Sequence, residues 1–195
     1  MIFLVKGKYN YFDDLESLSS LSLSAAALAC GINDGESTKV CISDLRRECD
    51  RLICKIEDAL FSDFLPPLER DGIAAMTHCL SRVIDRSADI LSDPYATAAF
   101  MQSNQESVIC VKLATELKNG IFMLRRIRKP SECPDLRGHR ELLSEGRQAH
   151  KNMLCAVRSG KISKCHREAI ILTARLRTEL SEAFDKLIEV MLNNI

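Results

Sequence analysis

The chain has 195 residues, with 27 Lys and Arg, 27 Asp and Glu, and 46% apolar residues. A net charge of zero argues against nucleic acid as the main partner, since that would call for a clustered basic face, and no run of 18 apolar residues offers a membrane span. The absence of Trp, the eight Gly and five Pro, and the scarcity of runs rich in β-branched residues point to an all-α protein built as an antiparallel bundle of about six long helices.

In chain order, the short apolar start Met-Ile-Phe-Leu-Val is too brief for a signal peptide, which predicts a cytoplasmic protein. A first helix is predicted from Asp13 to Cys30, ending at Gly31. Its segment from Ser17 to Asn33 carries no charge and is rich in Ala, which suits burial. A second helix is expected after the cap candidate Ser37, with Ile42, Leu45, Cys49, Leu52, Ile56 and Leu60 on one face. A third runs from Pro67 to Ser92, and a short piece from Tyr95 to Met101 follows Asp93-Pro94. The fourth spans Gln105 to Lys129, the fifth ends at Arg158 before Ser159-Gly160, and the sixth runs from Ile162 to Asn193. Four of these segments read as ~25 to 30 residues long, or about 40 Å each.

One domain, 1–195, is expected, with halves at about 1–93 and 94–195. The first 95 residues hold 10 basic against 16 acidic side chains and the remainder 17 against 11, so the halves are oppositely charged. A shift of 100 positions lays Arg47 on Arg147, Leu80 on Leu180, Ser81 on Ser181 and Asp85 on Asp185, a faint internal repeat. The nine cysteines form no Cys-x-x-Cys pair and read as reduced residues, most of them on apolar faces.

The break between the second and third helices reads Phe64-Leu65-Pro66-Pro67-Leu68-Glu69-Arg70, preceded by Glu48-Cys49-Asp50 and followed by Leu80-Ser81-Arg82-Val83-Ile84-Asp85. This layout resembles the PhoU-like family of phosphate-transport regulators, in particular the short branch of accessory proteins of the low-affinity Pit phosphate transporter. That branch carries a Phe-x-x-Pro-x-x-Arg break, matched here by Phe64, Pro67 and Arg70, between helices rich in paired carboxylates. The resemblance implies two three-helix halves, a cytoplasmic regulator or accessory protein of inorganic phosphate transport, and a membrane phosphate transporter as partner. A position near the membrane surface and a homo-oligomer are compatible with it. The basic run Arg125, Arg126, Arg128 and Lys129 suits a helix C-terminus, with anionic headgroups as the other reading.

Relatives of this kind bind iron or zinc clusters between carboxylates four apart on neighbouring helices. Here each such pair lacks a member: Arg46 stands against Asp50, Ser81 against Asp85, Glu145 against Ala149 and Ser181 against Asp185. The resemblance therefore marks Glu48, Asp50, Asp85, His150 and Asp185 as a degenerate site for a divalent or ferric ion, while the residues themselves predict no cofactor. The competing expectation is that these carboxylates are solvated or paired with Arg47, Arg51, Arg82 and Arg86. A second carboxylate set four apart, Asp44 with Glu48, Asp85 with Asp89, Glu141 with Glu145 and Asp185 with Glu189, recurs on the long helices. There is no Glu-x-x-His pair, nucleophile elbow or glycine-rich phosphate loop, so an enzyme is not expected. The alternative functions are a helical protein–protein adaptor without a phosphate role and a metal-binding helical protein.

Overall fold

The computed structural model describes residues 9–32, 41–126 and 136–194. Seven α-helices form the fold, with no strand among the described residues: α1 (Tyr11–Ala29), α2 (Ile42–Ser62), α3 (Arg70–Ser92), α4 (Ala98–Gln102), α5 (Gln105–Leu124), α6 (Leu136–Arg158) and α7 (Arg167–Asn193). A 3₁₀ turn, Lys164–His166, leads into α7. The all-α bundle expected from the sequence is present. Of its long helices, α7 has the expected length at 27 residues, while α2, α3 and α6, at 21, 23 and 23, are shorter than periodicity alone suggested.

The two glycine stops act as the sequence implies. At Gly31, with φ 66°, the N–H of Ile32 reaches the carbonyl of Ala27 and that of Gly31 reaches Leu28. Gly160, with φ 73°, repeats the pattern through Lys161 to Ala156 and Gly160 to Val157. In both, a left-handed residue lets the last carbonyls of a helix be satisfied before the chain turns away. At α5, the Asn104 side chain accepts from the backbone N–H of Glu106, capping the helix start. The expected cap Ser37 lies outside the described residues.

Four helices make the inner layer, α1 beside α3, α3 beside α7, α7 beside α5 and α5 beside α1. α2 lies across α1 and α3, and α6 across α5 and α7, so each half is a three-helix unit with its middle helix on the outside. The sequence of each helix matches its place. α2 buries a single stripe, Leu45, Cys49, Leu52, Ile56 and Ala59, as a covering helix should. α1 buries Tyr11, Leu15, Leu18, Ser22, Ala25, Ala26 and Ala29, and its small residues allow close approach: Ser22 Oγ lies 3.1 Å from the Leu80 carbonyl of α3. Buried Cys30, Cys49, Cys79 and Cys110 belong to this core, whereas Cys41, Cys54 and Cys155 are exposed, against the expectation that most cysteines would be core residues. Cys49 shows what burial does to such a thiol, pushing its pKa up to about 11.

The break between α2 and α3 departs from the expected helix start at Pro67. Both prolines stay in the turn, and α3 begins at Arg70, with its first bond from Ile73 N–H to the Glu69 carbonyl. The reason is Arg70. Its guanidinium donates to the carbonyls of Leu60, Asp63 and Phe64, the unpaired acceptors left where α2 ends, and so ties the turn to the helix it leaves. Replacing Arg70 with Ala is expected to cost about 0.5–1.5 kcal/mol, the net contribution of a hydrogen bond whose acceptors water can reach, read as a lower midpoint in urea unfolding. Replacing Arg70 with Lys should recover only part, because a compact ammonium cannot fork across three carbonyls.

Candidate functional site

The carboxylates marked for a metal do not converge. Arg46 places Nη2 2.7 Å and Nε 3.2 Å from Asp85 Oδ1, so a guanidinium occupies the carboxylate that a cation would need. Glu48 pairs with Arg51 three residues on, and its pKa is held below the usual carboxylate range chiefly by that hydrogen bond. Asp50, exposed on α2, has no ion pair shorter than 4.0 Å with a described residue. His150 belongs to α6, on the opposite flank from α2, and binds Glu106 instead. Asp185 is on α7, where it contributes to the field at His139. The described residues contain no group of three or more His, Cys, Asp or Glu side chains placed to share an ion. A metal cluster of the kind the resemblance implies does not fit this donor set.

The arginines expected beside these carboxylates mostly serve others. Arg82 and Arg86 both reach Glu179 on α7, at 2.7 and 3.2 Å, and Arg47 reaches Asp44. The second carboxylate set is largely neutralised at the spacing of three, by Arg47 to Asp44, Arg51 to Glu48, Arg86 to Asp89 and Lys186 to Glu189. Elemental analysis after dialysis is therefore expected to find less than one equivalent of iron or zinc, with Asp50→Asn and Asp85→Asn unchanged. Retention of a full equivalent by the parent and its loss in both variants would show that these carboxylates bind metal after all. The expectation rests on charge: at about 4 Å and an effective dielectric near 20, one guanidinium opposes a bound cation by roughly 4 kcal/mol per unit charge.

The structure instead assembles a buried ionic group that sequence reading passed over. Glu106, in the first turn of α5, is 0% exposed; its Oε1 accepts from Arg177 Nε at 2.9 Å and its Oε2 lies 3.2 Å from His150 Nδ1. Burial raises the Glu106 pKa against the opposing pull of Arg177 and His150. Arg177 itself is buried on α7 and passes under α6 at Gly146, where a Cβ would stand 2.5 Å from Arg177 Cδ. A glycine inside a helix costs about 1 kcal/mol relative to Ala, and here its missing side chain is the opening for the arginine. The signal available in the sequence was that glycine, in the middle of an otherwise strong helical pattern.

Beside this group lies an open, groove-like surface cavity of about 370 Å³ between α3, α6 and α7, lined by Arg86, His150, Arg175, Arg177, Thr178 and Glu179 together with Ile171 and Ala174.

A different kind of site occupies one end of the bundle. Phe61, Phe64 and Leu65 are 92%, 90% and 73% exposed, and Phe122, Met123 and Leu192 are also exposed. All six sit where α2, α5 and α7 finish. That end is held together by Arg125 of the turn after α5, which pairs with Asp13 and Glu16 of α1, and by the Glu69 N–H on Asn194. Of the large apolar side chains exposed among the described residues, only Leu91 and Tyr95 are elsewhere. Such a concentration marks a contact surface more than scattered apolar residues would.

In comparisons with known proteins, no family model and no curated protein matches the chain.

Proposed function

We propose that this chain is an accessory regulator of inorganic phosphate transport that works by docking onto a membrane phosphate transporter of the Pit type, through the apolar end formed by Phe61, Phe64 and Leu65. The observation that carries the reading is the Phe64-to-Arg70 turn. Arg70 clamps the backbone carbonyl of Phe64 while the Phe64 ring points away from the protein, 90% exposed. A clamped backbone bearing outward apolar side chains is preorganised for contact, because little order remains to be lost on binding. The residues that do this are those of the Phe-x-x-Pro-x-x-Arg break through which the chain resembles PhoU-like accessory proteins, and the pairing of two three-helix units supports the same family. No helix among the described residues is long and apolar enough to cross a membrane. The action proposed is cytoplasmic and non-enzymatic.

The test is capture of a detergent-solubilised Pit-type transporter by the purified chain, with Phe64→Ser and Leu65→Ser combined as the variant. Both side chains are exposed, so the variant should unfold within about 0.5 kcal/mol of the parent, while losing roughly tenfold or more in affinity, as removal of central aromatic anchors does. Undiminished capture by the variant would place the contact elsewhere, and capture by unrelated membrane proteins alone would favour the adaptor reading without a phosphate role.

A further inference from the structure

The geometry points to a binding site for a phosphate group in the cavity between α3, α6 and α7, with Arg175, Arg177 and Arg86 as the anion-holding residues and His150 at its edge. The site is separate from the apolar end, and its test needs no transporter.

Three guanidinium groups, from Arg86, Arg175 and Arg177, line a cavity of about 370 Å³ that contains one carboxylate, Glu179. The three are in different states of use. Arg86 is already engaged, with Nε 3.2 Å from Glu179 and Nη1 3.1 Å from Asp89. Arg177 spends Nε on Glu106, and its two terminal nitrogens have no hydrogen-bond acceptor among the described residues. Arg175 is exposed and has no ion pair or hydrogen bond among the described residues. The unused donors are therefore on one helix, two positions apart, and both side chains border the same cavity.

Arg177 is placed rather than merely present. Glu106 fixes its Nε from behind, and Gly146 opens α6 to let its side chain through. That construction holds the Arg177 guanidinium at low exposure with only its Nε committed, and a guanidinium fork suits bidentate recognition of a tetrahedral oxyanion. Arg177 faces Glu106 and Arg86 faces Glu179 and Asp89, so the preference for a dianion over a monoanion such as acetate comes from Arg175, whose charge has no paired carboxylate among the described residues, since its attraction grows with the charge it meets. Glu179 is the built-in competitor. It holds Arg86, and through Arg82 a second cation, so an entering phosphate group would take Arg86 from it or share it.

The test is calorimetric titration of the purified chain with inorganic phosphate, and separately with a soluble phosphomonoester, glycerol 3-phosphate, at low and constant ionic strength with acetate as control. Saturable binding of phosphate, absent with acetate, is expected. Arg175→Gln should weaken it about tenfold, the loss of one charge-assisted contact. Glu179→Gln should tighten it by a few-fold, because the competing carboxylate is gone; a change that merely loosened the structure would not improve binding. Circular dichroism of each variant checks that it is folded. Tighter binding of the phosphomonoester than of phosphate would assign the site to a phosphorylated metabolite, and the reverse to free phosphate. No saturable binding at millimolar phosphate, or binding that neither substitution alters, would overturn the proposal.

Discussion

Replacing Glu106 with Ala should destabilise the protein by about 3–5 kcal/mol, the cost of breaking a buried ion pair from one side. The carboxylate is wholly buried, and its loss strands Arg177 and removes the partner of His150 together. At about 2–4 °C of melting midpoint per kcal/mol for a chain of this size, the drop should exceed roughly 6 °C. The pair is nevertheless weak evidence for net stability, because taking both charges out of water is itself expensive. The combined variant Glu106→Leu with Arg177→Met is thus expected to recover most of the loss. Chemical denaturation of Glu106→Ala and of the double variant measures both statements. A Glu106→Ala cost below about 1 kcal/mol would mean that the group is hydrated and not buried as described.

The fold was legible because its signals are local. Leu45, Cys49, Leu52 and Ile56 repeat at helical spacing, and Gly31 and Gly160 take left-handed backbone at the two stops. Helix starts were less legible. Pro67 suits a first helical turn, yet Arg70 draws the turn's carbonyls onto itself and delays α3 by three residues, a contact between positions that periodicity does not encode. The site was least legible of all. Glu106, Arg177 and His150 come from α5, α7 and α6, far apart in the chain, and only packing makes them one group. The resemblance singles out Glu48, Asp50 and Asp85, on a surface where Arg46 and Arg51 already pair two of them. Likewise Phe64 and Leu65 are apolar letters with no helical or strand period, so their outward display follows from the clamp beneath them and not from their pattern.

Gly146→Ala should run against the usual effect of that change. In the middle of a helix, Gly to Ala ordinarily stabilises by about 1 kcal/mol, since alanine has less conformational freedom to lose. Here the new Cβ would stand 2.5 Å from Arg177 Cδ and 3.3 Å from both Arg177 Nε and Ile109 Cγ2. The obstructed atom is not the free tip of a side chain. Cδ is one bond from Nε, which Glu106 holds at 2.9 Å, so yielding to the methyl group would pull on the buried pair. The expected result is destabilisation by about 1–3 kcal/mol, the range for overpacking a filled interior. The decisive measurement is the same substitution made in an Arg177→Ala background. There the severe obstruction is absent and only the 3.3 Å approach to Ile109 Cγ2 stands against the helix preference, so Gly146→Ala should change sign and stabilise, by less than the full helix preference. If it stabilised the parent chain as well, α6 would have room to spare at that point, and the opening through which Arg177 reaches Glu106 would not be what Gly146 is there to provide.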